Sequence, residues 1–420
     1  MAQAVESNHA DRIVGLLGAD RVRSPIGPEA RAANTIVEPA SVEEVAELVR
    51  ACEADNLSLA PLGAARTLAQ IRRTPVAVGL SLARLARIVA YESDDMTIVA
   101  EAGLSVAELN RATSRSGQRL PADPRGPEAT TLGALVAAAH AGPLRHSDGS
   151  ARDLLIGIHF VGHGGKLVRG GGRVVKNVAG YDLMKVMGGS FGTLGIIVET
   201  TFKVRPLLEN YSVAIAGYDR SGAAFDAARA LNDALPLAHL EVVSPALAAA
   251  FQRSGSFLVI AGFYGNRREI DYQRDRLTAI AATRVEFLTS EAAETTYAQV
   301  RDLDLPQASL AARIAVLPGE LGTALEACGV EFVAHAGSGV AEIFAPLLSA
   351  DTARETLARW RTIAHRARGN VRVLAAASEL RDSLVFFDEP GDGALKLMRR
   401  LKAAFDPANI FNPGCFVGGI

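Results

Sequence analysis

The chain has 420 residues, of which 49% are hydrophobic and 21% charged, with a formal net charge of −2. That length exceeds the roughly 100–200 residues of one ordinary core, so two or three domains are expected, and the composition is far from that of disordered proteins. A nearly neutral chain without long basic runs has no electrostatic footprint for nucleic acid or an anionic membrane, so a ligand is expected in a pocket.

The three cysteines, Cys52, Cys328 and Cys415, are too scattered to suggest a CxxC pair, an iron–sulfur cluster or a disulfide framework, and the eight histidines include no close pair of metal type. No metal is expected. The N-terminal MAQAVESNHADRIVGLLGAD is acidic where an export signal would be basic, and the longest apolar run, Thr131 to Ala139, is short for a membrane span. The expectation is a cytoplasmic protein, peripheral at the inner membrane only through partners.

In chain order, NTIVEP at 34–39 predicts a strand, and Ser41 with Glu44 three residues on predicts the capped start of the helix VEEVAELVRACEA. LSLA at 57–60 predicts a second strand, leading into the small-residue loop Pro61, Leu62, Gly63, Ala64, Ala65, Arg66, Thr67. A β-α-β unit ending in such a loop is a common way to present backbone N–H groups to phosphate. RIVAYE and TIVAEAG predict paired strands around 93–95, and Ser105 with Glu108 caps a helix ending near Gly117. After the turn PADP at 121–124 come a small-residue helix, TLGALVAAAHAG, and a hairpin, LLIGIHFVGHGGKLVRGGG, turning at 162–165. A strand over 192–206 closes this region at Pro206.

From Tyr211 onward strands and helices alternate in two rounds without glycine clusters, which suits an antiparallel sheet covered by helices on one face, as in ferredoxin-like α+β units. We therefore divide the chain into a domain over 1–206, a second α+β domain over 207–405, and a tail over 406–420 that returns to the first.

Glycine is concentrated between Thr131 and Thr200, with 15 in 70 residues against 39 in the whole chain, which marks backbone that turns sharply or approaches a ligand. The nucleotide motifs that this density suggests are not there: GHGGKL lacks the residues of a Walker loop, and no GxGxxG opens a helix after an N-terminal strand. GxSxG and HExxH are also missing.

The segments PADP, TTLGALVAAAHAGP, HSDGSARDLLIGIHFV, KNVAGYDL, GSFGTLGIIVE and the terminal FDPANIFNPG together resemble the vanillyl-alcohol oxidase/PCMH-type FAD-binding superfamily, and within it the FAD-binding subunit of glycolate oxidase. The resemblance implies an α+β fold, with a PCMH-type FAD-binding domain of two α+β subdomains and a ferredoxin-like α+β cap or substrate domain. It implies FAD as cofactor. The loop Pro61–Thr67 and the region Thr130, Thr131, Gly133 would cradle the pyrophosphate, and Pro121, Asp123, Gly142, Ser147, Gly149 and Asp153 would line the nucleotide path. Ile197 and Val198 would pack on the adenine, and Asn412 would return toward the flavin ring. The sequence departs from the family at Ala64 and Ala65, in a phosphate loop that is usually glycine-rich and where the bulky Arg66 precedes Thr67, and at Cys415, where arginine is usual; binding would be looser, or Arg66 would supply a charge to the pyrophosphate directly.

By the same resemblance the activity would be oxidation of glycolate or a D-lactate-like 2-hydroxy acid to the 2-oxo acid. Electrons would pass to a paralogous FAD subunit and an iron–sulfur subunit. His335 in AHAGSGVAE partly matches a catalytic-histidine turn, whereas VLAAASEL at 373–380 has no histidine for the family's second cluster. Arg313 or Arg372 would hold a carboxylate, and the sequence does not select between them. A stand-alone FAD-dependent oxidoreductase of a small hydroxy acid or alcohol, and a flavin-poor scaffold subunit, stay open as alternatives.

Overall fold

The computed structural model of the chain describes residues 12–71, 74–172, 181–207, 209–304 and 308–420. Residues 176–180 of KNVAGYDL lie outside them. The chain divides into two compact units: Met1–Ala141, Ser150–Pro206 and Glu389–Ile420 form one, and Gly142–Gly149 with Leu207–Asp388 form the other. The helix Asp392–Phe405 thus groups with the first unit and the excursion 142–149 with the second, two assignments that a linear division at 206 and 405 does not make.

In the first unit, strands Ala33–Val37, Val76–Ser81 and Leu59–Leu62 pair in parallel, with Val22–Arg23 antiparallel at one edge. Helix Val42–Ala54 begins where the Ser41 side chain accepts from the Glu44 N–H, and it buries Val45, Leu48, Val49 and Cys52, the i, i+3, i+4, i+7 stripe of a one-sided helix. A second, antiparallel sheet runs Ile88–Glu92, Thr97–Glu101, Ile196–Lys203, Leu155–Gly162, Lys166–Gly171. Both sheets contribute to one core that also takes in Ile410 and Phe411 from the C-terminal tail.

The strand expected from 192 begins only at Ile196. Gly192 at φ +70° and Gly195 at φ +149° hold backbone conformations that interrupt extended chain and that side chains with a Cβ rarely adopt. The expected helix over 131–142 likewise stops at Ala137, with Ala139 in the left-handed region at φ +50°.

The second unit is built on one eight-stranded antiparallel sheet, in the order Val285–Thr289, Ser212–Tyr218, Phe257–Phe263, His239–Val243, Glu331–His335, Val340–Ala345, Leu310–Ala315, Asn370–Ala376. The first four and last four strands each follow a β-α-β-β-α-β order with the first strand inside, so two ferredoxin-like repeats are joined edge to edge between His239–Val243 and Glu331–His335. Along Leu310–Ala315 burial alternates with period two: Leu310, Ala312 and Ile314 are buried, whereas Ala311, Arg313 and Ala315 are half-buried. Helix Ala350–Arg366 buries Ala353, Leu357, Trp360 and Ala364 and packs on the strands of its own repeat. In the first repeat a further helix, Ser290–Arg301, places Ala293 and Val300 in one core with Val213, Ile215, Leu258 and Ile260.

Candidate functional site

The loop after Leu59–Leu62 has the backbone that phosphate binding requires. Ala65 adopts φ +53°, a left-handed conformation that glycine takes freely, so the alanine substitution has kept the glycine-type turn. Helix Arg66–Ile71 starts there, and its first-turn N–H groups have no intrahelical acceptor. Among the described residues no backbone carbonyl takes up the N–H groups of Ala64, Ala65 or Arg66. Gly63 lies close over Thr131, since a Cβ on it would stand 3.0 Å from Thr131 Oγ1.

The neighbouring residues do not all act as expected. Gly133 donates its N–H to Ala102 O at 2.8 Å and Leu132 donates to Leu104 O at 2.9 Å, so neither is left for a phosphate. Gly133 is small because helix Leu132–Ala137 presses on the end of a strand: a Cβ there would lie 3.1 Å from that of Ala102. The Thr131 hydroxyl caps that helix by accepting from the Ala134 N–H, and Thr130 Oγ1 donates within its own loop to Gly126 O at 3.1 Å. Arg66 bridges the two loops, with Nη2 at 3.3 Å from both Gly126 O and Thr130 Oγ1. Thr67 Oγ1 lies 3.3 Å from His140 Nε2. Pro121 and Asp123 are buried in this unit, and Asp153 caps a short helix by accepting from the Ser150 N–H and hydroxyl.

The turn 190–195 is the other half of the cradle. Gly192 packs directly on Pro61, where a Cβ would stand 2.5 Å from Pro61 Cγ. The Ser190 hydroxyl is buried with no protein partner among the described residues. Beyond the turn Ile197 and Val198 are buried at a bulge, and Val198 O accepts from the Ala102 N–H.

The C-terminal tail fastens this turn. Asn412, fully buried, donates its amide to Phe191 O at 2.6 Å and its backbone N–H to Leu59 O at 2.7 Å, while the Leu59 N–H donates to Ile410 O. Lys402, also buried, donates to Thr193 O at 2.9 Å, to Phe411 O at 2.8 Å and to Asp406 Oδ2 at 2.5 Å. Asn412 therefore spends donors on shaping the 190–195 turn, a positioning task that motif reading had assigned to the ring region. Cys415 is buried, as are Cys52 and Cys328. An FAD pyrophosphate fits these residues: the loop has spare backbone donors, a positive-φ turn faces it across Pro61, and the buried Ser190 hydroxyl lacks a partner.

Gly142, Ser147 and Gly149 belong to the second unit, on the excursion that carries helix Arg145–Asp148. This helix lies against strand His239–Val243 and the turn Ala336–Ser338, and brings His146 with it. Glu241, fully buried at mid-sheet, accepts on Oε2 from His239 Nδ1 at 2.5 Å and on Oε1 from His335 Nδ1 at 3.3 Å. His239 Nε2 lies 2.6 Å from the Tyr211 hydroxyl. Burial pushes the Glu241 carboxyl up, but the charge and hydrogen bonds of His239, then of His335, outweigh it and hold it at about 2. His335 is thus brought to a buried carboxylate that motif reading did not single out. The signal for it was HLE at 239–241, whose period-two spacing puts a histidine and a glutamate on one face of a strand.

A second polar row crosses the same face. Glu342, Arg313 and Arg372 are cross-strand neighbours on three adjacent strands, with Arg313 Nη2 3.4 Å from Glu342 Oε1. Because Glu342 also pairs with Val333, two residues from His335 on its strand, this row and His335 share a face. Arg313 and His335 stand two strands apart, about 10 Å across the sheet. Burial, then the charge of Arg313, push the Arg372 guanidinium down from its ordinary value, yet that value is so high that it stays charged. Arg313 Nε is buried without a partner among the described residues. Two guanidinium groups beside one carboxylate leave an excess positive charge.

Among the described residues no helix is long and apolar enough to cross a membrane. Residues 33–171 match the family described as "FAD binding domain", and residues 386–415 match "FAD linked oxidases, C-terminal domain". The chain is 43% identical over 121 residues to "Glycolate oxidase subunit GlcE" of Escherichia coli (strain K12), a match covering 28% of this chain and 34% of that protein. It is 26% identical over 419 residues to "D-lactate dehydrogenase [cytochrome], mitochondrial" of Arabidopsis thaliana, covering 91% and 73%. The match to the first of these relatives thus spans about a third of its length. Among solved structures, p-cresol methylhydroxylase superposes with a TM-score of 0.68 at 15% identity, covering 98% of this chain and 96% of that one, which shows the fold. Residues 33–171 thus carry an FAD-binding domain and residues 386–415 an FAD-linked oxidase C-terminal segment, the fold is PCMH-type, and FAD is the cofactor.

Proposed function

We propose that the chain is the FAD-bearing subunit of a glycolate oxidase-type complex that oxidises a small 2-hydroxy acid to the 2-oxo acid. In that complex its electrons pass to a paralogous FAD subunit and an iron–sulfur subunit. The observation that carries the substrate class is the shared face of His335 and the row Arg313, Glu342, Arg372, where an excess of guanidinium charge stands about 10 Å from an imidazole. A carboxylate suits the arginines, and a hydroxyl one carbon away suits the histidine. The names of the similar proteins, a glycolate oxidase subunit and a D-lactate dehydrogenase, point to the same class.

Bound FAD supplies a two-electron acceptor for the α-hydrogen. The chain supplies the rest. The 64–66 loop and the 190–195 turn hold the cofactor; Arg313 and Arg372 orient the acid by its carboxylate; His335 takes the hydroxyl proton at Nε2. Anaerobic addition of glycolate or D-lactate to the flavin-loaded chain, alone and with its partner subunits, tests this reading by the bleaching of flavin absorbance. Bleaching by the isolated chain favours a stand-alone enzyme, bleaching only in the complex favours a subunit, and no bleaching in either refutes the substrate class. The flavin-poor scaffold alternative is disfavoured by Ala65, which preserves the left-handed turn despite losing the glycine.

A further inference from the structure

The second unit buries more polar chemistry than a proton acceptor at a sheet surface needs. Glu241 and His239 are both fully buried, and Tyr211 is nearly so. Two further tyrosine rings close around them: Tyr211 stands 4.8 Å from Tyr264 between centroids and 6.0 Å from Tyr297, and His239 stands 5.3 Å from Tyr297. Two glycines make room for the imidazoles. A Cβ on Gly262 would lie 2.0 Å from His239 Nε2, and one on Gly337 would lie 2.2 Å from the ring of His146. Burying an ion costs several kcal/mol, and apolar side chains of similar volume would pack as stably, so stability alone does not account for this cluster.

The hydrogen bonds settle the protons. An ionised carboxylate only accepts, so His239 and His335 both present Nδ1–H to Glu241. A neutral His335 in that tautomer carries its lone pair on Nε2, and the side chain is 16% exposed, the outward end of an otherwise buried chain. At the inner end the Tyr211 hydroxyl lies 2.6 Å from His239 Nε2. His146, Tyr264 and Tyr297 also face the cluster, and burial pulls His146 below the ordinary histidine value, with Glu241 opposing. Glu241 is therefore a buried carboxylate shared by two imidazoles, and its negative charge offsets the charge that His335 gains with a proton.

We infer that Tyr211, His239 and Glu241 form a buried positioning relay that fixes the tautomer of His335 and balances the charge His335 acquires as general base. The inference rests on the 2-hydroxy acid reading above. In the step concerned, the substrate O–H bond breaks and an N–H bond forms at His335 Nε2. FAD, when bound, would accept the α-hydrogen with its electron pair, the two electrons lost by the alcohol carbon. Tyr211, His239 and Glu241 touch no substrate.

The test uses the full flavin-loaded chain with its partner subunits, labelled with ¹⁵N-histidine. In the unaltered protein the nitrogen spectra should show His335 as the Nδ1–H tautomer. Glu241→Gln, and Glu241→Leu as a second variant should the first fail to fold, should release that preference. They should also slow flavin reduction by glycolate or D-lactate about 100-fold or more, with substrate affinity changed less than about threefold and flavin content unchanged. Tyr211→Phe should alter the His239 resonances, leave the His335 tautomer in place and slow reduction by about tenfold at most. An unchanged His335 tautomer in the Glu241 variants, or an unchanged reduction rate, overturns the relay. Failure of the unaltered complex to reduce its flavin with any 2-hydroxy acid instead overturns the functional reading beneath it.

Discussion

Lys402→Met tests whether the tail is what holds the 190–195 turn. The ammonium group donates to two carbonyls, Thr193 O and Phe411 O, and to Asp406, and all of these partners lie in the first unit. Methionine matches the volume but removes the three donors. Asp406, 1% exposed, is then left as a buried carboxylate with only the backbone N–H groups of Ile410 and Phe411. Removing one partner of a buried ion pair costs about 3–5 kcal/mol, a figure that already contains the orphaned partners. For a folding unit of this size each kcal/mol lowers the midpoint by about 2–4 °C, so the transition of the first unit should fall by about 6–20 °C. Calorimetry on the full chain reads this, with the two units allowed separate transitions. Flavin retention at a temperature below the transition should also fall, because the variant loosens the turn that faces Pro61. Adding Asp406→Asn should recover part of the loss, since it discharges the stranded carboxylate. A shift under about 3 °C, or a double variant no better than the single one, would refute the assignment of Lys402 as the fastener.

Acid stability should carry the signature of Glu241. Its carboxyl is held at about 2 against an ordinary 4.5, so it contributes about 3 kcal/mol that is complete above pH about 4.5 and disappears as pH falls toward 2. Glu241→Gln should flatten that stretch of the stability curve, and parallel curves for the two proteins would contradict the buried ion. Gly262→Ala should expel the His239 ring, breaking its bonds to Tyr211 and Glu241 at a cost of about 3 kcal/mol. In a His239→Ala background the same change should cost little, and an equal cost in denaturant unfolding would show that the ring is not the obstacle. Gly192→Ala combines a positive φ with a contact 2.5 Å from Pro61 and should destabilise by about 2–4 kcal/mol with loss of flavin, whereas Ala65→Gly should stay within about 1 kcal/mol. Comparable thermal shifts for the two would refute the strain argument. Arg313→Met should raise KM for a 2-hydroxy acid at least tenfold while FAD binding is unchanged; an unaltered KM would remove Arg313 from the substrate site.

Local rules made the first unit legible. The side-chain cap at Ser41, the capping box at Ser105, the 162–165 hairpin and the glycine-dense stretch depend on residues a few positions apart, so their chemistry is written consecutively in the chain. The positive-φ turn at 190–195 instead reads as the start of a strand at 192, because the apolar run after Gly195 hides where the extended chain begins. What each small residue does there was not legible. Gly133 reads as a phosphate donor until its N–H is seen bonded to Ala102 O, and Asn412 reads as a ring ligand until its amide is seen on Phe191 O. Both partners are remote in sequence, and a hydrogen-bonding group can be spent only where its partner is known.

The sequence by itself determined a close-approach backbone site, which only resemblance to a known family turned into an FAD cradle, a chain with no cysteine cluster, and a second region of ferredoxin-like α+β units. Each of these follows from composition, from turn chemistry or from periodicities of 2 and 3.6 residues that act within one element. Only the tertiary structure decided which titratable groups act together. Tyr211, His239 and Glu241 lie about 100 residues from His335, and Arg313 meets Glu342 and Arg372 across separate strands. Sheet order and register brought them into contact, and register is fixed by the pairing of whole strands and the burial of one face, which no short stretch of sequence carries.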